Sequence, residues 1–339
     1  MRILLTLDYE IHFGRRTGSV ARGLLEPTEA IAAVARRHGA RLVLFVDAGF
    51  LLCLRREMPR ARELRADHDA IRRQLDALVA EGHEIQLHIH PHWEDSHWTP
   101  QGWKLDLRRY ALQAFSPAGI DDVVGRYAAL LREIGRAQAA TAYRAGGWVL
   151  QPFAPLRPAL LAHGVCIDST VFAGGLSESA AQPFDFRAAP RKSRWRFDRD
   201  PLRETPWGPF LEVPIASREL PPSFFWRLAA AKKLGGARHR TFGDGEAVAM
   251  ERGDLARKLL RRSTSVVSLD GFKASFLAAA ASDYRRSGMD DFVAIGHPKA
   301  LTPYSLERLD AFLRSCRADE IGGYARYLPE LAAARGVAA

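Results

Sequence analysis

The sequence has only three cysteines, Cys53, Cys166 and Cys316, and they lie far apart. No two of them form a C-x-x-C pair, the spacing that is typical of redox and zinc motifs. The absence of paired cysteines excludes a disulfide framework as the basis of the fold. It is also what we expect of a protein from a reducing compartment.

Long hydrophobic runs are also missing. No stretch approaches the roughly 20 apolar residues that a transmembrane helix needs. The apolar run over residues 3–7 leads directly into Asp8, so it is too short for the core of a signal peptide, and no small-residue cleavage site follows it. The sequence therefore predicts a cytoplasmic protein.

Acidic residues are outnumbered. The net charge is +10 and the pI is about 9.8, which favours an anionic partner such as nucleic acid, anionic lipid or a phosphorylated sugar. Arginine is spread over the whole chain and no RNA- or DNA-binding motif is visible, so we expect no nucleic-acid partner. The 339 residues, of which 47% are hydrophobic, suffice for a large globular core.

Apolar runs of strand length alternate with amphipathic runs of helix length. We predict strands over residues 3–8, 42–46, 85–90, 142–144, 165–168, 210–215, 266–269 and 292–295. We predict helices over residues 27–38, 67–80, 120–134, 156–163, 272–286 and 305–314, the last with Ser305 as its cap. The β-α-β order predicts an α/β fold with parallel strands. Residues 1–339 are expected to form one domain, with an irregular insertion over residues 173–255.

A cluster of histidines follows Gly82. Apolar side chains at 85, 87 and 89 alternate with polar ones at 86, 88 and 90, which is the period of a strand with one imidazole face. Pro91 cannot donate to a ladder, so the strand should end there, and His92 can turn back toward His88. Neutral imidazole is the commonest metal ligand, and zinc is the first candidate. The spacing leaves two pairs open, His88 with His90 or His88 with His92.

Reactive side chains occur at the carboxyl end of one predicted strand after another. Parallel strands bring these ends to one edge of a sheet, where they would gather Asp8, Glu10, His88, Arg144, Asp168 and His297. A carboxylate and two imidazoles leave an open position on a metal, which can activate water. A second carboxylate can act as base, with an arginine that keeps it ionised, and a separate histidine can protonate a leaving group.

These segments resemble, in order, the motifs of the NodB-type polysaccharide deacetylases (carbohydrate esterase family 4). Residues 5–10 (LTLDYE) are similar to the T-F-D-D motif, and residues 82–92 (GHEIQLHIHPH) to G-H-E-I-x-x-H-x-x-x-H. Residues 144–148 (RAGGW) are similar to R-x-P-Y, Asp168 stands where the fourth motif has an acid, and residues 295–297 (IGH) are similar to L-x-H. The resemblance covers roughly residues 3–172 and 265–315, and it implies a distorted (β/α) barrel.

The resemblance also implies a role for each matched residue. Asp8 is the base. A divalent metal, first of all Zn²⁺, is held by Glu10, His88 and His92. Arg144 orients Asp8, the backbone N–H of Gly147 binds the oxyanion, and Asp168 tunes His297, the acid. Substrate binding is assigned to the remaining side chains near the motifs: His90, Trp93, Trp148 and Ile295.

Two departures from the family motifs stand out. Tyr9 replaces the second aspartate of the first motif, so the metal carboxylate must be Glu10, two positions along. Gly146 and Gly147 replace the Pro-Tyr of the third motif, which is expected to open space near the oxyanion.

The implied reaction is removal of an N-acyl group, expected to be acetyl, from a sugar in polysaccharide or glycolipid biosynthesis. A cytoplasmic substrate would include a lipid-linked sugar. The basic and aromatic segment over residues 224–240 is compatible with a solvated basic loop and with an anionic membrane interface. Our hypothesis is that it docks on the inner leaflet. Two alternatives stay open: a C–N hydrolase acting on a small cyclic amide, and an inactive relative that binds carbohydrate.

Overall fold

The computed structural model of the protein describes residues 1–136, 139–248, 252–317 and 320–336. The chain forms two compact units. Unit 1 comprises Met1–Leu42, Phe172–Gly175 and Ile215–Gly322. Unit 2 comprises Val43–Val171, Leu176–Pro214 and Gly323–Ala339. The expectation of one domain with an insertion over residues 173–255 stays a prediction, and residues 249–251 of that insertion lie outside the described residues.

Strands and helices alternate along most of the described chain. The strands are β1 (Arg2–Tyr9), β2 (Leu42–Asp47), β3 (Glu84–Ile89), β4 (His97–Thr99), β5 (Gly102–Lys104), β6 (Ala142–Ala145), β7 (Ile167–Asp168), β8 (Leu176–Ser177), β9 (Phe184–Asp185), β10 (Trp195–Phe197), β11 (Phe210–Glu212), β12 (Ser217–Leu220), β13 (Ser263–Val266) and β14 (Asp291–Gly296). The α-helices are α1 (Glu26–Arg37), α2 (Ala48–Glu57), α3 (Arg62–Ala80), α4 (Pro117–Gly135), α5 (Arg157–Ala162), α6 (Pro222–Leu234), α7 (Arg252–Leu260), α8 (Leu277–Arg286), α9 (Pro303–Leu313) and α10 (Leu328–Gly336).

Unit 1 is built on the parallel pair of β1 and β14. Both strands are continuous runs of buried residues, which is typical of parallel strands covered on both faces. Their register pairs Arg2 with Asp291 at one end and Leu7 with Gly296 at the other. The next residues along each strand, Asp8 and His297, therefore leave the pair at the same end.

Unit 2 contains five strands that pair in the order β2, β3, β6, β7, β11, with all neighbours parallel, and β10 pairs antiparallel with β11. The register aligns Asp47 with His88 and His88 with Arg144. It also aligns Glu212 with Asp168. Asp47, His88 and Arg144 consequently lie at one level of this sheet, and Asp168 and Glu212 lie at the level of Tyr143, one residue away.

Most predicted elements are confirmed, including all the parallel pairings tested within each unit. The prediction missed α2 and the short hairpin of β4 and β5, which lies in a segment that has no clear period. The strand predicted over residues 266–269 is β13, over Ser263–Val266. The helix predicted over residues 272–286 begins as a 3-10 turn, Gly271–Phe276, before α8.

The prediction of Ser305 as the cap of α9 is wrong. The helix begins at Pro303, and Thr302 is its N-cap. The hydroxyl of Thr302 accepts a hydrogen bond from Ser305 N at 3.1 Å, and the hydroxyl of Ser305 accepts one from Thr302 N at 2.9 Å. The two residues form a reciprocal capping box, in which Ser305 is the inner partner.

None of the helices in the described ranges is both long and apolar enough to cross a membrane.

Loss of the Thr302 hydroxyl is expected to destabilise the protein. Substitution of an N-cap threonine by alanine costs about 1 to 2 kcal/mol of unfolding free energy. We expect Thr302→Ala to lower the midpoint of urea denaturation accordingly. Thr302→Ser keeps the oxygen and removes only the buried methyl group, so it should retain most of the stability. Equal losses in the two variants would contradict a role for the cap.

Candidate active site

An acid and a histidine face each other at the end of the β1–β14 pair in unit 1. Nε2 of His297 lies 3.7 Å from Oδ2 of Asp8 and 3.9 Å from Oε1 of Glu10. Both carboxylates are buried, with exposed fractions of 4% and 6%. The arrangement follows from the strand register, since Asp8 and His297 each stand one residue beyond the last paired position.

Asp270 holds His297 from the other side. Its Oδ2 lies 2.8 Å from Nδ1 of the ring, and its Oδ1 accepts a hydrogen bond from His297 N at 2.7 Å. Burial lowers the pKa of His297, but Asp270, Asp8 and Glu10 outweigh burial, so the net shift of this pKa is upward. Burial raises the pKa of Asp270, but the charge and hydrogen bonds of His297 outweigh it and lower the pKa overall.

Asp270 therefore occupies the position beside His297 that the sequence analysis gave to Asp168. The residue was missed although it carries the expected signal. It stands directly after a predicted strand that ends at residue 269, as the acids of other strands do.

A buried lysine compensates Glu10. Nζ of Lys299 donates to Oε1 of Glu10 at 2.9 Å and to the carbonyl oxygen of Ile11 at 2.6 Å, and it lies 4.7 Å from the centre of the Phe13 ring. This ion pair keeps a carboxylate in a buried position, where an unpaired charge would be costly. Sequence reasoning did not single out Lys299, which stands two residues beyond His297.

His12 lies in the same part of unit 1 and is kept neutral. Burial, followed by the charge of Lys299, lowers its pKa to about 4. Neither ring nitrogen has a hydrogen-bond partner within the described ranges. The backbone closes tightly on this ring, because a Cβ added to Gly243 would meet Nε2 of His12 at 2.8 Å.

The three clustered histidines, His88, His90 and His92, lie in unit 2 and are buried at the end of β3. His88 is the strand's next-to-last residue, and His92 lies in the 3-10 turn Pro91–Glu94 that follows the strand. The rings form a row, with His90 between the others: its ring centre is 4.7 Å from that of His88 and 5.5 Å from that of His92. Ligand nitrogens of His88 and His90 lie within 4.8 Å of each other.

The protonation of His88 is set by the neighbouring strand. Its Nδ1 lies 2.9 Å from the carbonyl oxygen of Arg144. A carbonyl oxygen can only accept, so Nδ1 carries the proton and Nε2 carries the lone pair. Metal-binding histidines are commonly oriented in this way.

Two residues predicted to bind substrate are instead buried within their units. The Trp93 ring is 1% exposed, and its Nε1 donates to Oδ2 of Asp47 at 2.7 Å. Ile295 is fully buried in β14. Both side chains support the strands and turns that carry the site and do not present a surface to a substrate. Trp148 is partly exposed, with its ring 5.9 Å from that of Phe184.

Arg144 is fully buried in unit 2. Its Nε donates to the carbonyl oxygen of Ser169 at 2.8 Å, and its guanidinium carbon lies 4.0 Å from the centre of the Phe45 ring. The hydroxyl of Tyr324 donates to Oγ of the same serine at 2.6 Å. The arginine is thus held in one orientation by the strand next to it.

Asp168 and Glu212 form a buried carboxyl pair on neighbouring strands. Asp168 accepts hydrogen bonds from Thr170 N at 3.0 Å and Thr170 Oγ1 at 2.8 Å, while Glu212 accepts one from Val171 N at 3.3 Å. Burial raises the pKa of Asp168 to about 7 and that of Glu212 well above its ordinary value, and the charge of Asp168 adds to the shift of Glu212. Burial therefore favours the protonated form of Glu212. The sequence signal for Glu212 was an acidic residue within an otherwise apolar strand.

The two glycines of the third motif do not open space. A Cβ on Gly146 would meet the His90 ring at 2.6 Å, and a Cβ on Gly147 would meet the hydroxyl of Tyr110 at 2.7 Å. Gly147 also has a φ of +60°, which favours glycine. The expectation of an open oxyanion region is wrong, because neighbouring side chains fill the room that the missing side chains leave.

One cavity of unit 2 lies away from these residues. It has a volume of about 770 Å³ and lies at the amino-terminal end of β3, where His83 and Glu84 line it. None of the candidate catalytic or metal-binding residues contributes to its lining.

The raised pKa of Glu212 predicts how stability depends on pH. Glutamates ionise near pH 4 in the unfolded chain. The folded protein retains this proton to higher pH, so stability falls as the pH rises above about 4. Glu212→Gln mimics the protonated form and removes this contribution, so we expect urea midpoints to fall less between pH 5 and pH 8 than in the wild type. Glu63→Gln, at an exposed position, should leave the wild-type slope unchanged, and the same slope in all three proteins would contradict the prediction.

Comparison with known proteins gave matches among solved structures alone. No family model matches the chain, and no curated protein matches it. A provisionally assigned polysaccharide deacetylase from Mycobacterium smegmatis superposes with a TM-score of 0.53 and 12% identity, over 98% of this chain and 90% of the other. A second, from Pseudomonas aeruginosa PAO1, gives a TM-score of 0.46 and 13% identity, over 98% and 89%.

At this level of identity the first likeness establishes the fold and leaves the reaction to be argued from the residues. The predicted fold class is confirmed, since the strands are mostly parallel within each unit and the likeness extends over almost the whole chain. The chain has the (β/α) fold of the NodB-type polysaccharide deacetylases.

Proposed function

We propose that the protein is a metal-dependent hydrolase that removes an N-acyl group, in the first place acetyl, from a sugar. The observation that carries this proposal is the arrangement around His297. Asp270 contacts one ring nitrogen at 2.8 Å, and Asp8 lies 3.7 Å from the other. A histidine oriented by one carboxylate and facing a second is suited to proton transfer in both directions.

Glu10, His88 and His92 are proposed to hold the metal, with His90 as the alternative to His92. The donors fit a divalent ion such as Zn²⁺. The carbonyl oxygen next to Nδ1 of His88 leaves the lone pair on Nε2, the usual preparation of a metal-binding imidazole. Lys299 engages one oxygen of Glu10, and a carboxylate has a second. His90 is supported because ligand nitrogens of His88 and His90 lie within 4.8 Å of each other.

The remaining residues would carry the proton transfers. A divalent metal, when bound, would lower the pKa of water and polarise the acyl carbonyl. Asp8 takes a proton from the water while the water oxygen attacks the carbonyl carbon. The N–H of Gly147 donates a hydrogen bond to the carbonyl oxygen, which becomes negative. The C–N bond then breaks as His297, oriented by Asp270, protonates the amine. The products are the free amino sugar and the carboxylate.

Arg144 keeps its proposed role of orienting Asp8. The role of orienting His297 passes from Asp168 to Asp270, because Asp270 is the residue that contacts the ring. Asp168 then belongs with Glu212 to the group that positions the neighbouring strands.

Loss of a metal ligand should abolish both metal content and activity. We expect purified wild-type protein to contain stoichiometric metal by elemental analysis and to release acetate from an N-acetylated oligosaccharide. His88→Ala should lose the metal and lower kcat/KM by at least about 100-fold, since even indirect partners of metal ligands contribute 10- to 100-fold. His90→Ala and His92→Ala, tested separately, identify the second imidazole.

His163→Ala is the matched control, because this histidine pairs with Asp121 on the outside of unit 2 and is not part of the histidine cluster. Wild-type protein without metal, or a His88→Ala variant with full metal content, would overturn the metal assignment. Opening of a small cyclic amide in place of acetate release would favour the alternative hydrolase.

We further propose that the substrate is lipid-linked and that α6 and α7 rest on the cytoplasmic leaflet of an anionic membrane. Phe224 and Phe225 are buried, so the aromatic part of the predicted interface is smaller than expected. Large apolar side chains on these two helices are nevertheless exposed: Trp226 by 58%, Leu234 by 80%, Leu255 by 49% and Leu260 by 76%. Exposed apolar groups among basic ones suit a membrane surface.

Neutralising the basic residues of this surface should release the protein from anionic vesicles. We expect flotation with phosphatidylglycerol vesicles to be lost when five side chains are changed to glutamine: Arg227, Lys232, Lys233, Arg238 and Arg240. Each basic residue near such a surface contributes about 1 kcal/mol. The control removes the same charge at five exposed positions elsewhere: Arg41, Arg65, Arg73, Arg191 and Arg203. Equal flotation of both variants would exclude the proposed surface.

A further inference from the structure

A small cavity in unit 1 adjoins the acid of the proposed reaction. Its volume is about 220 Å³, and it lies between α6, the turn Gly271–Phe276 and the segment that precedes α9. This is below the roughly 300 to 1,000 Å³ of pockets for drug-sized ligands, so it has room for one group of a larger molecule. Nothing in the resemblance to the deacetylases assigns a role to these residues.

Two lysines line the cavity: Lys232, which is exposed, and Lys273, which is partly buried. No carboxylate lies within ion-pair distance of Lys232 or Lys273 in the part of the chain that the structure describes. Lys273 is half-buried, and burial lowers its pKa to about 8, with further lowering by Lys258 and Lys232 that Asp270 opposes. A half-buried cation without a partner is costly, and an anionic ligand would offset that cost.

The acid on the cavity wall is already engaged. Asp270 is the one carboxylate among the residues that line the cavity, and both of its oxygens contact His297. Its charge is therefore directed toward the histidine. The two lysines leave the lining with a net positive charge.

Two aromatic residues, Phe272 and His239, line the cavity. The rings of Phe272 and Tyr304 are stacked with centres 5.8 Å apart, and His239 lies against Tyr304 at 4.5 Å. Nδ1 of His239 is buried and has no hydrogen-bond partner among the described residues. Phe272 and His239, which line the cavity, thus add aromatic surface and a polar atom beside the two lysines.

We propose that this cavity binds the phosphate group of a phosphorylated N-acylated sugar. The inference rests on the proposed function, because it places an anionic part of the substrate one side chain, Asp270, away from the catalytic His297. It narrows the substrate from N-acylated sugars in general to glycosyl phosphates, whether soluble or linked to a lipid through the phosphate.

Titration calorimetry with inorganic phosphate and with N-acetylglucosamine 1-phosphate tests the cavity directly. The full-length protein is treated with a chelator first, so that binding to a metal does not contribute. We expect both probes to bind, and we expect Lys273→Met and Lys232→Met each to weaken binding at least tenfold. Lys273→Arg keeps the charge and should retain most of the affinity.

Lys233→Met is the matched control, because Lys233 is the exposed neighbour of Lys232 on α6 and does not line the cavity. It removes the same charge from the same helix and should leave phosphate binding unchanged. Equal affinity in all variants, or equal weakening by Lys232→Met and Lys233→Met, would overturn the proposal, since diffuse surface charge would then explain the binding.

A second experiment, with phosphatidylglycerol vesicles, distinguishes binding of a lipid headgroup from binding of a soluble phosphate. Vesicle binding that depends equally on Lys232 and Lys233, without binding of soluble phosphates, would exclude the cavity. Phosphate binding that depends on Lys273 supports it, even if no acetate is released from any sugar, in which case only the proposed reaction fails. Acetate release without phosphate binding removes the cavity's role and leaves the reaction intact.

Discussion

The parallel pairing of β1 with β14 is the constraint on which the proposed chemistry of unit 1 depends. It aligns Leu7 with Gly296, and so it delivers Asp8 and His297 to the same end of two buried strands. The strands are distant in sequence, yet each ends in a residue that can exchange a proton. A shift of one residue in this register would send one of the two side chains to the opposite face of the pair.

Burying so many ionisable groups is unfavourable unless each has a partner. In unit 1, Lys299 accompanies Glu10, and Asp270 accompanies His297. Removing one partner of such a buried pair typically costs about 3 to 5 kcal/mol, because the remaining charge is left without compensation. Unit 2 uses protonation as well, since burial favours the neutral form of Glu212. Lys273 is informative for this reason, because it is half-buried and forms no ion pair among the described residues.

Sequence reasoning recovered those residues that stand directly beyond regular apolar strands. Asp8, His88, Arg144 and His297 all follow or end such runs, which the hydrophobic pattern of the sequence identifies. Asp270 was missed although it stands directly after a predicted strand, as the recovered residues do. Glu212 and Lys299 were missed for a common reason. Their partners lie at distant positions in the sequence, and the spacing along the chain contains no information about which acid meets which base.

The sequence by itself determined the element order, the parallel strands and the set of candidate reactive residues, because hydrophobic period and strand ends are local properties of the chain. Tertiary structure alone decided that Asp270 orients His297, that Lys299 compensates Glu10, and that His90 and Tyr110 fill the space beside the two glycines. It also decided which predicted substrate residues are buried. These outcomes depend on contacts between segments that lie far apart in the chain. Packing determines which of several chemically equivalent residues becomes the partner.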